Sequence, residues 1–144
     1  MHTNLRKVIG TGFVAMTFMV ACSGVSNQPS GGTPPRVYFV EPTDGASVSS
    51  PVKVKMAAEN FKIEPAGDIH SGAGHLHILV DADCIAAGQV IPKDDTHLHY
   101  GKGQVEAVLD LKPGTHRLCL QAGNGAHQTI AGSGLMQIIN ITVK

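Results

Sequence analysis

The chain has no tryptophan, and aromatic residues make up only 4% of its 144 positions. A core built from such a composition is aliphatic. Charged residues are also scarce, at 15%, and no run of lysine or arginine exists to collect phosphates, which argues against a nucleic-acid partner. Nowhere does an apolar run reach the roughly 20 residues that a membrane-spanning helix requires. No long segment carries helical periodicity. A Ser/His/Asp signature, a P-loop and a nucleotide-binding glycine fingerprint are likewise missing.

What is present starts with an export pattern. Arg6 and Lys7 precede a largely apolar stretch, residues 8–20, that ends at Ala21-Cys22. The charged start, short apolar middle and small residue before a cysteine predict a removable signal over residues 1–21. Met19-Val20-Ala21-Cys22 resembles a bacterial lipobox, with Met where Leu is usual. That resemblance implies acylation of Cys22 and a lipid anchor in the cell envelope, on the periplasmic side, and Ser23 after the cysteine points to the outer membrane. Without Arg6 and Lys7 the formal charge moves from zero to −2 with histidine neutral. Residues 22–35 contain mainly Ser, Gly, Pro, Asn and Gln and have almost nothing to bury, so they are expected to form a flexible tether. Residues 36–144 have the length of one small domain with a single core.

With Cys22 acylated, Cys84 and Cys119 remain. In an oxidising compartment a disulfide between them is the expected use, closing a loop worth about 3 to 4 kcal/mol in the chain-entropy model. Service as thiolate metal ligands is the alternative.

Apolar and polar residues alternate with a period of two around Val37, Val52, Leu76, Val105, Leu118 and Ile139, and Pro42-Thr43-Asp44-Gly45 and Pro113-Gly114 supply turns. Six or seven short strands in this length predict an all-β fold, an immunoglobulin-like two-sheet sandwich, with a small β-barrel as the competing architecture. The longest irregular stretches, residues 64–74 and 82–95, are expected to carry function.

Six of the eight histidines fall between His75 and His127. In a strand, residues i and i+2 share a face, so His75 and His77 project together, and so do His97 and His99. Leu76, Ile78 and Val80 take the opposite face, which directs both pairs away from the core. If the two strands are neighbours, up to four imidazoles share one outer face beneath the 82–95 loop. Imidazole suits copper, zinc, nickel and iron, whereas magnesium and calcium want oxygen ligands. Asp81, Asp83, Asp94 and Asp95 flank the pairs and are expected to orient the rings or to ligate. The bland alternative is that the histidines are polar surface positions or hold loops by hydrogen bonds. That alternative is preferred for His116, which shares a face with Leu118 and Leu120. His127, in a turn-rich segment, is the better fifth ligand candidate. His70 lies in a glycine-rich loop and is only a weak one.

GHLHILVD (residues 74–81), DDTHLHYGKGQ (94–104) and PGTHRLCLQAGNGAH (113–127), after Pro42-Thr43-Asp44-Gly45 and Ser50-Pro51-Val52, resemble the bacterial family catalogued as domain of unknown function 4399. The resemblance spans residues 36–144 and implies a small exported domain with no assigned activity. Members often have a third histidine where this chain has Leu76, and they usually lack the two cysteines, which marks the disulfide as a local addition.

The sequence thus points to an exported, lipid-anchored domain that binds copper or zinc through His75, His77, His97, His99 and His127, for capture, buffering or delivery. A competing reading is a non-enzymatic envelope module that holds a protein partner or polysaccharide, its histidines purely structural. Catalysis is the least supported class. Gly-x-His-x-His followed by a paired cysteine is similar to the copper–zinc superoxide dismutases, but the rest of their ligand pattern is not recognisable. A cupredoxin-like order of Cys119, His127 and Met136 has spacings that are too long.

Overall fold

Alternation with a period of two builds strands whose inner faces meet, and that arrangement is what the computed structural model contains. It describes residues 32–144; the expected signal, Cys22 and the tether up to residue 31 lie outside the described residues. Among the described residues the strands are β1 (Arg36–Glu41), β2 (Ser47–Val48), β3 (Val52–Glu59), β4 (Lys62–Ile63), β5 (Ala73–Val80), β6 (His97–Tyr100), β7 (Glu106–Leu109), β8 (Gly114–Gly123) and β9 (Met136–Val143), with one 3-10 turn at Ser133–Leu135. No helix among them is long and apolar enough to cross a membrane.

Two sheets form the expected β-sandwich. The smaller has the order β1-β3-β7. In the larger, β2-β9-β8-β5 runs across the sheet, and β5 carries β4 and β6 on its remaining edge. Val37 and Phe39 of β1, Val52, Val54 and Met56 of β3 and Leu109 of β7 face Leu76, Ile78 and Val80 of β5, Leu118 and Leu120 of β8 and Ile139, Ile141 and Val143 of β9 across one aliphatic core. Between the inward residues of β3, Lys53 and Lys55 stay exposed. Each fully buried aliphatic side chain of this set contributes roughly 1.5 to 3 kcal/mol of transfer free energy.

The larger sheet has a second covered face. All eight residues of β5 are buried. Leu79, opposite Cys119 in the register with β8, packs with Ile91 and with Ala82, Cys84 and Ile85 in a satellite cluster outside the sandwich. The disulfide Cys84–Cys119 closes a separation of 35 residues and ties the 82–95 loop to this face. The outer face is therefore roofed by the 82–95 loop, as its position suggested, and His75 and His77 beneath the roof lie in a protein interior.

Candidate metal centre

β5 is the strand that gathers the site. Antiparallel pairing sets His77 opposite His99 of β6 on one side and opposite Gln121 of β8 on the other, while His75 stands opposite Gly123. Because the parity of β5 sends Leu76 and Ile78 into the sandwich core, His75 and His77 go to the roofed face, where they are 0% and 1% exposed. The neighbouring-strand arrangement expected for the two His-x-His pairs is thus present. Loops over the sheet seal His75 and His77, however, and leave His97 and His99 half-buried.

His127 completes the group from a loop. Its backbone has φ of 64°, a left-handed conformation that His adopts more readily than most residues but still at a cost. It is fixed by a bond from its N–H to Asn124 O at 2.9 Å and by one from Ile91 N–H to its own carbonyl at 2.9 Å. The Asn124 side chain reinforces the turn by accepting from Ala126 and Gln128 N–H at 2.9 and 3.0 Å. The ring lands against His99 with centroids 4.6 Å apart and against His75 at 4.9 Å. His75, His77 and His99 lie 4.8 to 5.1 Å from one another by the same measure.

The nitrogens converge as well. Nε2 of His75 and His77 are 3.0 Å apart, and those of His99 and His127 are 3.1 Å apart. One ring nitrogen each from His75, His77 and His99 falls within 4.8 Å of the others, a group that could hold a metal ion. Four nitrogens around a tetrahedral ion at 2.0–2.1 Å would be separated by about 3.3 Å; each short pair is close to that spacing, while His75, His77 and His99 must close in from as much as 4.8 Å, with His127 drawn in beside His99, to share one ion. The donor set is entirely imidazole.

Electrostatics favour the neutral form of three of these rings. Burial lowers the pKa of His75 to about 4 and of His77 to about 3, with neighbouring imidazoles adding to the effect; His99 is lowered too, by burial and by His127 and Lys93. A neutral imidazole is the form that binds a metal. The Nδ1 atoms of His75 and His77 are buried without a hydrogen-bond partner. The expected orienting aspartates therefore do not reach this pair.

Those aspartates act elsewhere. Asp94 Oδ1 accepts from Nδ1–H of His97 at 2.8 Å, so His97 shares the face with His99 but is held at the edge of the group. Asp81 accepts from His116 Nδ1–H at 2.7 Å, and His116 Nε2–H donates to Lys112 O at 2.8 Å. Placed between two acceptors, His116 has a raised pKa and a structural role, as its side of the strand suggested. Asp83 pairs with Arg117 at 3.4 Å, and Asp95 is exposed. His70, with Nδ1 2.7 Å from Glu64, is on the surface. Leu76, where relatives were expected to carry a histidine, faces the core.

Three site residues escaped the sequence reading. Gln121, 4% exposed, accepts from Ile85 N–H at 2.9 Å and donates to Ile85 O at 2.6 Å, pinning the roof beside His77. Gly101 leaves room for the His99 ring, which a Cβ would strike, and a Cβ on Gly123 would come 3.0 Å from His77 Nε2. The cross-strand register reveals the roles of Gln121 and Gly123, and the placement of the His99 ring reveals that of Gly101.

Fold and site together define an all-β sandwich with a cluster of four imidazoles, two of them sealed from solvent, on the outer face of its larger sheet. The chain belongs to the family described as Domain of unknown function (DUF4399), whose model matches residues 54–144, a stretch that contains every histidine of the cluster. No curated protein matches the chain, and no solved structure does either.

Proposed function

We propose that the domain binds a transition-metal ion, copper or zinc, through His75, His77, His99 and His127, and serves its capture, buffering or delivery at the cell envelope. The carrying observation is that His75 and His77 are buried with no polar partner other than fellow imidazoles. Burying a polar side chain without full hydrogen bonding costs about 1 to 3 kcal/mol per unsatisfied group, and a coordinate bond to converging Nε2 atoms supplies a compensating interaction. An all-nitrogen site suits both metals, and the affinity order of divalent ions favours copper.

The envelope location rests on the signal pattern and Cys22, and the Cys84–Cys119 disulfide supports it, because such bonds persist in oxidising compartments. On this reading the tether holds a metal-capturing domain close to the membrane.

Equilibrium titration of untagged, metal-free protein with Cu(II) and with Zn(II) tests the assignment. One ion per chain and a higher melting temperature are expected, and both are expected to vanish when His75, His77, His99 and His127 are all replaced by Ala. Undiminished affinity in that variant, or a wild-type melt indifferent to either metal, would refute it and leave the histidines a structural role in an interaction module.

A further inference from the structure

Along the roofed face an exposed carboxylate, two half-buried imidazoles and two sealed ones follow one another. The Asp94 side chain is 51% exposed and that of His97 14%; His99 is half-buried, and His77 and His75 are sealed. His97 and His99 are separated by one residue on β6 and share a face, with Cα atoms about 7 Å apart at strand rise. In the register with β5, His97 stands opposite Leu79 and His99 opposite His77. The imidazoles therefore form a row leading inward from the rim of the loop to the buried pair.

His97 differs from the rest of the row in being oriented by an anion. Asp94 Oδ1 accepts from Thr96 N–H, Thr96 Oγ1–H, His97 N–H and His97 Nδ1–H, all at 2.8 to 2.9 Å. A carboxylate on Nδ1–H fixes the tautomer that leaves the lone pair on Nε2 and makes that nitrogen a stronger donor, as outer-shell carboxylates do at metal sites. Nε2 of His97 has no hydrogen-bond partner among the described residues.

We propose that His97 is the capture ligand of the site: an ion binds first to its Nε2 at the rim and is passed to His99 and then to the buried cluster, so that His97 sets the rate of loading and release but is not a ligand at equilibrium. The proposal rests on the cluster being the metal site. It assigns the same strand two tasks, delivery by His97 and retention by His99. The negative charge of Asp94 at the rim also attracts a cation.

Stopped-flow loading of metal-free protein with Zn(II), followed by release to excess chelator extrapolated to zero chelator, distinguishes these tasks. His97→Gln is expected to slow loading and release together by about tenfold, leaving their ratio and the stoichiometry unchanged, since Kd is the quotient of the two rates. Asp94→Asn, which keeps the size of the side chain and weakens the anion, is expected to give an intermediate slowing, and it remains informative if the first variant folds poorly. Unchanged rates in both variants would overturn the proposal, and so would a loss of equilibrium affinity in His97→Gln, which would make His97 a ligand. A wild-type protein that takes up no Zn(II) or Cu(II) would overturn the metal site itself, an outcome visible before any variant is made.

Discussion

A ring the size of imidazole needs space on a sheet whose neighbouring strands are only about 5 Å away, and here two glycines provide it. Gly101 lies against the His99 ring and Gly123 against His77, and neither has a positive φ that would itself demand glycine. Their role is volume. Gly101→Ala is expected to displace His99 and weaken metal affinity by at least about tenfold, the scale of an outer-shell defect at a metal site, with overpacking costing about 1 to 3 kcal/mol of stability; competition titration and a chemical melt read the two effects, and unchanged affinity would remove His99 from the ligand set. A second prediction sets His97 apart from its neighbour: His99→Ala abolishes binding at equilibrium, whereas His97→Ala leaves the stoichiometry at one ion, as direct metal analysis after desalting would show. The pairing of His75 with His77 and of His97 with His99 was legible in the sequence because strand alternation alone assigns faces. Which of them meet was not, since that depends on register, on the turn that carries His127 and on Asp94 holding His97 aside. Gln121 gave no signal because its partner Ile85 is 36 residues away, and Gly101, only two residues from His99, gave none because its role depends on how that ring folds over it.

Between the strands and the site stands the roof, an element without secondary structure of its own. It is held by the Cys84–Cys119 bond, by the two-point contact of Gln121 with Ile85, and by Gly88 N–H to Thr129 O at 3.0 Å and Thr129 N–H to Gln89 O at 2.9 Å. The last two bonds join the roof to the segment carrying His127, so the roof both covers the buried histidines and positions a ligand. Sequence length alone marked residues 82–95 as a functional loop over the histidine face, and the cysteines foretold its attachment; that it seals His75 and His77 completely was not foretold, because irregular chain has no period from which to read a covered face. Replacing Cys84 and Cys119 by Ser is expected to cost about 3 to 4 kcal/mol of unfolding free energy for a loop of this length, measured by urea denaturation of metal-free protein. Gln121→Ala strands the N–H and carbonyl of Ile85 and is expected to cost about 1 to 3 kcal/mol while loosening His127. If both changes lower stability yet leave metal affinity intact, the roof is a cover only and does not position the ligand.

For the molecule as a whole, the cluster makes stability depend on pH in a direction that can be worked out from its histidines. His75 and His77 have folded pKa values of about 4 and about 3, and His99 is also lowered, against an unfolded value of 6.5. Below pH 6.5 the unfolded chain takes up protons at these positions and the folded chain does not, so unfolding gains as pH falls, by up to about 1.4 kcal/mol per histidine for each pH unit. His116 acts in the opposite sense: its raised pKa gives stability that is complete below 6.5 and is lost as pH rises through the folded value. It is one group against three. The lowered carboxylates Asp94, Asp81 and Glu64 begin to lose their stabilising contribution only as pH falls past their ordinary values of 3.8 to 4.5, at the acid end of the histidine range. Metal-free protein is therefore expected to lose a few kcal/mol between pH 6.5 and 4, and His77→Leu, which removes the most depressed group and keeps an apolar side chain of suitable size, is expected to flatten that decline. Because a bound ion competes with protons near the folded pKa values of its ligands, and burial lowers those of His75, His77 and His99, the increment that metal adds to the melting temperature is expected to persist further into the acid range than it would on exposed histidines. Calorimetric melts from pH 7 to 4, with and without metal, check both statements. A metal increment already lost at pH 6 would mean that the ion sits on exposed histidines and not in the cluster.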